Sequence, residues 1–214
     1  QDIYVYSSAT NSVANIGCTN PYADNFDPDA VINDGSCTFS QSLSFDEGWN
    51  MFSLNLIPNE ISLFNILSPL HNDMLLVLDE SGGAIFENEY GWADNINMWQ
   101  STEGYLIKLN SDGNDEINTT HQLDLSSNQN IFLPFSINLL KGWNIISYPI
   151  PENYPDDSPM YDLVENVLSY LLENQLVELM FDEAGGVFIP DYITGSNAQN
   201  SIIAMSSGNA YYLK

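Results

Sequence analysis

Three segments of this chain recur, in the same order, further along it. Gly48-Trp49-Asn50-Met51-Phe52-Ser53 returns as Gly142-Trp143-Asn144-Ile145-Ile146-Ser147, Asp79-Glu80-Ser81-Gly82-Gly83-Ala84 as Asp182-Glu183-Ala184-Gly185-Gly186-Val187, and Gly104-Tyr105-Leu106-Ile107-Lys108 as Ala210-Tyr211-Tyr212-Leu213-Lys214. Ordered self-similarity of this kind marks a duplicated module, and each copy must fold on the same local scaffold. The copied positions are turn glycines, apolar and aromatic strand residues and a closing lysine. No His, Cys or carboxylate cluster suited to catalysis recurs with them, so the duplication points to a building block and not to an enzyme.

The duplicated copies divide most of the 214 residues into two units of ordinary domain size. A formal net charge of −26, with three lysines and no arginine, argues against nucleic acid and anionic membranes as partners, because neutralising phosphates requires the cations this chain lacks. Acidity does not here mean disorder, since 44% hydrophobic and 12% aromatic residues suffice for a packed core. No apolar run of about 18 residues exists, so membrane insertion is not expected. The chain begins with Gln1 and not Met, which fits a mature exported protein, extracellular or at the cell surface. In that compartment the two cysteines, Cys18 and Cys37, are expected to form one disulfide, worth about 3 kcal/mol through loop closure. His71 and His121 lie far from both, so zinc is not expected.

The expected fold is mainly β: a small disulfide-bounded N-terminal module followed by two duplicated β-rich modules, each with one short helix, in a β-sandwich style. Residues 1–16 form an arm whose Ile3, Tyr4, Val5 and Tyr6 are a short, β-prone assembly strand. Residues 17–39 are the disulfide-bounded Asp/Asn-rich module, 40–110 the first β module, 111–140 a bridging pair of strands near 121–125 and 131–139, and 141–214 the second β module. Within the first module the pattern predicts strands over 49–56, 74–78, 84–87 and 105–109, a helix near 60–68, and a loop over 88–100. In the second, Met160, Leu163, Val164, Val167, Leu168 and Leu171 recur at helical spacing behind Ser158 and Pro159, which predicts a capped core-facing helix.

Oxygen-rich side chains crowd the disulfide loop: Asp24, Asn25, Asp27, Asp29, Asn33 and Asp34. A set of hard oxygen donors suits Ca²⁺, although the spacing is not that of an EF-hand; a loop of Asx turns held by its disulfide is the other reading. Asp112–Glu116 reads as a solvated turn, with a second cation loop as its alternative. Trp49 and Trp143, at equivalent positions, are expected in the core. Tyr90 and Trp92 have no counterparts in the second copy and are the candidate glycan contacts, against the reading of a loop folded on its own core. Gly-x-Ser-x-Gly, paired metal-type histidines and phosphate loops are absent.

Cys18-Thr19-Asn20-Pro21, Ala23, Asn25-Phe26, Pro28, Ala30 and Asn33-Asp34-Gly35-Ser36-Cys37, together with the Gly-Trp-Asn repeats, resemble modules of extracellular surface and adhesin-like repeat proteins of marine Bacteroidota. The resemblance implies an extracellular location and a structural or adhesive role. The C-terminal sorting domain common in such proteins is not visible after Lys214. With the duplication, it leads us to expect a non-enzymatic structural subunit of a surface filament, adhesin or matrix, self-associating into a homopolymer by strand addition. A carbohydrate-binding module and a virion surface protein are the alternatives.

Overall fold

The computed structural model describes residues 14–110, 120–131, 136–150, 163–195 and 199–214. Ile3–Tyr6, Asp112–Glu116 and Ser158–Met160 lie outside these residues. The elements, in chain order, are β1 (Ile16–Gly17), β2 (Ile32–Asn33), β3 (Phe39–Phe45), β4 (Gly48–Phe52), α1 (Leu63–Ile66), a 3₁₀ turn (Ser68–Leu70), β5 (Met74–Leu78), β6 (Ala84–Asn88), β7 (Gly91–Asp94), β8 (Tyr105–Leu109) and β9 (His121–Ser127). They continue with β10 (Asn144–Ser147), α2 (Val164–Val167), α3 (Ser169–Glu173), β11 (Met180–Phe181), β12 (Val187–Phe188), α4 (Asp191–Thr194) and β13 (Ala210–Leu213). The protein is mainly β, with several antiparallel sheets and short helices, and Cys18 and Cys37 form a disulfide. Among the described residues no helix is long and apolar enough to cross a membrane.

The duplication is visible in the topology. One sheet has strand order β4-β8-β5-β6-β7 and the other β10-β13-β11-β12, so the second repeats the first up to its last strand. Local chemistry repeats with it. Asp79 Oδ1 accepts the Gly83 amide at 2.6 Å and Asp182 Oδ1 accepts that of Gly186 at 2.6 Å. A methyl group at Gly83 would sit 2.4 Å from the Asp79 carboxylate, which is why the second glycine of the turn returns as Gly186. The hydroxyl of Tyr105 accepts from the Gln100 amide at 2.8 Å, and that of Tyr211 from Ser206 at 2.8 Å. Burial drives the Tyr105 hydroxyl far above its ordinary pKa, so it remains a neutral phenol that can serve as this anchor.

Helix starts also correspond. Ser62 bridges Met98 and the Leu63 amide bonds to Asn97 O; Leu163 bridges Ala204 and the Val164 amide bonds to Ile203 O. Leu163, with ψ of 129°, is held extended by that bridge, so the second helix begins at Val164 and the helical spacing does not carry back through Leu163. It then divides into α2 and α3 at Leu168, which is buried, and α4 adds a third short helix where one was expected.

Two expectations about strands require correction. The partner of β9 is β3, in a seven-residue antiparallel register from Phe39↔Ser127 to Phe45↔His121, and residues 136–140 form no strand. Phe39, Gln41, Leu43 and Phe45 are buried while Ser40, Ser42 and Ser44 are exposed, an alternation that one covered face produces. The β3–β9 ribbon and α1 cover one face of the five-stranded sheet, and Leu43, Phe45 and Leu123 meet Phe52, Leu63, Val77, Ile85, Tyr105 and Ile107 in the main core. The second correction is β7, which forms within the expected loop as the outer partner of β6. The disulfide module has its own small cluster, where Cys18, Ala23 and Cys37 pack on Phe39 and Leu56.

Candidate functional site

Asn50 fixes the orientation of the Gly-Trp-Asn strand. Its side-chain oxygen accepts the Asp46 amide at 2.8 Å, and its amide donates to Asp46 O at 2.8 Å and Gly48 O at 3.3 Å. Asn144 repeats this with Leu140 and Gly142. Because the asparagine points inward, period-two alternation turns the tryptophan outward. Trp49 is 47% exposed and Trp143 48%, so the expectation of core tryptophans is overturned. Each ring lies instead beneath the lysine that closes its module: Lys108 Nζ is 5.6 Å from the Trp49 centroid and Lys214 Nζ 5.7 Å from that of Trp143.

The face that carries these pairs joins the two modules. Met51, Ile145 and Ala210 are buried there, flanked by Leu106 and Tyr212. The modules meet edge to edge and exchange hydrogen bonds reciprocally. Glu183, from the second module's glycine turn, accepts the Met51 amide of β4, and Glu80, from the first module's turn, accepts the Ile145 amide of β10 at 2.9 Å. The Ser53 amide donates to Gly208 O at 2.7 Å, and the Ser147 amide to Thr102 O at 3.3 Å. Ser53 Oγ donates to Asn209 O at 2.7 Å and Ser147 Oγ to Ser101 O at 2.6 Å. Each module thus seals the strand edge of the other. Sequence reading missed this role for Glu80 and Glu183, although their recurrence at one turn position was the available signal.

Burial pushes the Glu183 carboxyl above its ordinary range, reinforced by Asp182 and Asp46. Glu103, beside the same seam, is raised by burial and then by Asp79 and Glu80. A raised carboxyl binds its proton more tightly in the folded protein than in the unfolded chain, so these groups add stability that is fully present below the unfolded pKa and lost as pH rises through the folded one. Asp34 and Asp124 act oppositely: hydrogen bonds from Ser36, and from Ser42 and Gln122, hold them low, so their contribution disappears in stronger acid. The expected result is a melting temperature higher at about pH 5 than at about pH 7.5, at constant ionic strength, falling again below about pH 4. Changing Glu103 and Glu183 together to Gln should raise the midpoint at the higher pH and flatten the rise. A wild-type midpoint lower at about pH 5 than at about pH 7.5 would contradict this.

The two candidate glycan contacts lie in different surroundings. Tyr90 is 91% exposed in the β6–β7 turn, whereas the Trp92 ring packs 5.5 Å from Phe64 and 5.4 Å from His71. In the disulfide loop, Asp27 accepts the Asp29 amide, Asn33 that of Gly35, Asp34 that of Ser36 and Asn25 that of Thr38, all between 2.9 and 3.0 Å. The first three are Asx turns, and the fourth ties the start of the loop to the residue after Cys37. The Asp24 and Asp29 carboxylates are exposed, and among the described residues no group of three or more His, Cys, Asp or Glu side chains gathers where a metal could be held. Compared with known proteins, the chain matches no family model, no curated protein and no solved structure.

Proposed function

We propose that this protein is a non-enzymatic extracellular structural protein, a subunit or segment of a surface filament, adhesin or matrix that self-associates into a homopolymer by strand addition through Ile3–Tyr6. The observation that carries this reading is that the recurring residues serve as framework. Asn50 and Asn144 close turns, Asp79 and Asp182 brace hairpins, Tyr105 and Tyr211 anchor loops, and Glu80 and Glu183 lock one module to the other. Reciprocal locking yields a stiff two-module unit, the mechanical requirement of a stalk or filament. The disulfide agrees with an oxidising exterior, where high ionic strength would screen a net charge of −26 within about 3 to 8 Å.

Deleting residues 1–8 is expected to abolish long assemblies and leave folded monomers, measured by light scattering, electron microscopy and circular dichroism in one buffer. Assemblies of unchanged length after the deletion, or a wild-type chain that never assembles, would sink the proposal. Calcium binding in the disulfide loop belongs to the same reading, supported by the Asp24 and Asp29 carboxylates exposed beside the Asx turns. Ca²⁺ at 100 times its dissociation constant would add about 2.7 kcal/mol over chelator. An unchanged melting curve removes that part alone.

A further inference from the structure

Strand addition needs an open sheet edge, and most edges of the two modules are closed. β4 is covered by Glu183 and the Gly208 carbonyl, and β10 by Glu80 and the Thr102 carbonyl. On β12, Val187 O accepts from the amides of Ser201 and Ile202, Ser201 Oγ accepts the Val187 amide at 2.8 Å, and Asn200 Oδ1 accepts that of Ile189 at 2.7 Å. The outer edge of β7 differs. The Asn95 amide bonds to Ala84 O, so the alternation of an antiparallel ladder turns the Trp92 and Asp94 amides away from β6. Among the described residues those two amides have no partner.

We propose that the free edge of β7 is the acceptor for the Ile3–Tyr6 strand of a second copy of this chain; the assignment rests on the assembly reading above and names its docking surface. Length agrees, because β7 spans four residues and so does the donor segment. Side-chain character agrees as well. A strand with Ile3 and Val5 on one face and Tyr4 and Tyr6 on the other is apolar on both sides. β7 offers Ala93 beside Phe86 on one face of its sheet and Trp92 beside Phe64 on the other, where the Asp94 carboxylate is already engaged by the Ile96 and Asn97 amides. The β3–β9 ribbon offers no such match, because its outer face is a polar row in which Ser42 donates to Asp124 at 2.5 Å and Gln122 donates to Ser42 at 2.9 Å. An apolar face laid beside that row would strand those polar groups from water. The main-chain bonds from Trp92 and Asp94 supply affinity, and the side-chain match selects the edge.

The test is amide hydrogen exchange at Trp92 and Asp94 in the full chain, dilute and assembled, and in a full-length Val5→Pro variant, whose donor strand loses an amide. Assembly should slow both amides by about tenfold or more. Val5→Pro should prevent assembly, and a peptide of residues 1–8 added to that variant should restore slow exchange, while the same peptide with Val5→Pro should not. Assemblies with unchanged exchange at Trp92 and Asp94 overturn the acceptor and leave the assembly reading intact. Slow exchange already present in the dilute chain, and released by Val5→Pro, overturns the second copy in favour of the chain's own strand. Peptide protection without polymers supports the acceptor and sinks the assembly reading, and the absence of both sinks the two together.

Discussion

Replacing Gly104 with alanine is expected to destabilise the seam between the modules more than most surface or loop substitutions would. A methyl group there would lie 2.4 Å from the Ala210 Cβ, 2.8 Å from Ile145 Cγ2 and 3.0 Å from the Ile146 carbonyl oxygen. Ala210 is the counterpart of Gly104 in the repeat, so the two copies meet at their own equivalent positions and only one side has room for a methyl group. Part of that contact is strand backbone, which cannot swing aside as a long side chain would. Overpacking of this kind costs about 1 to 3 kcal/mol and sometimes more, which for a chain of this size corresponds to about 2 to 4 °C of melting temperature per kcal/mol. Gly104→Val should cost more again. A rescue separates this cause from generic damage: Ala210→Gly removes the opposing methyl, so the double variant should recover at least about 1 kcal/mol relative to additivity. A Gly104→Ala midpoint equal to wild type, or strictly additive effects, would show that the seam is looser than this geometry requires.

The seam also marks where the sequence stopped being legible. The duplication, the glycine-turn hairpins, the closing strands Met74–Leu78 and Tyr105–Leu109 and the disulfide are local or nearly so, and their signals lie in short windows. The relation between the two copies is not local. Glu80 and Ile145 are 65 residues apart, and no periodicity states that one caps the other. The β3–β9 ribbon was half legible: Phe39-x-Gln41-x-Leu43-x-Phe45 alternates plainly, but the strand it pairs with lies some 80 residues away beyond the whole first module. β7 was hidden for another reason. Gly91-Trp92-Ala93-Asp94 has no apolar alternation, and its one clue is the turn before it, where Asn88 accepts the Tyr90 amide and Gly91 takes a φ of 107°. At Trp49 and Trp143 recurrence does not mean burial. The recurring inward residue is the asparagine, and its polar hold on the turn places the aromatic ring outside; of the unshared pair, Tyr90 is open to solvent and Trp92 is partly buried against Phe64.

Asn50→Ala and Asn144→Ala are expected to be the other strongly destabilising changes, although each removes a side chain of modest size. Both residues are 4% exposed. Asn50 satisfies three backbone groups of its own turn, and Asn144 satisfies the Leu140 amide and carbonyl and the Gly142 carbonyl, with Leu213 O a further 3.5 Å acceptor. Water cannot readily replace a partner so enclosed, and each buried group left unpaired costs about 1 to 3 kcal/mol. A loss of about 2 to 4 kcal/mol for either variant follows, read as a lower urea midpoint with an unchanged slope. Aspartate discriminates the mechanism further. It keeps the acceptor for the Asp46 or Leu140 amide but presents a carboxylate oxygen to the two carbonyls that the amide nitrogen had served, so Asn50→Asp should be worse than Asn50→Ala near neutral pH and should recover in part in acid, where a protonated carboxyl can donate again. If alanine costs less than about 0.5 kcal/mol at both sites, or if aspartate is tolerated at neutral pH, the recurring asparagine is not what fixes the turn and turns its neighbouring tryptophan outward.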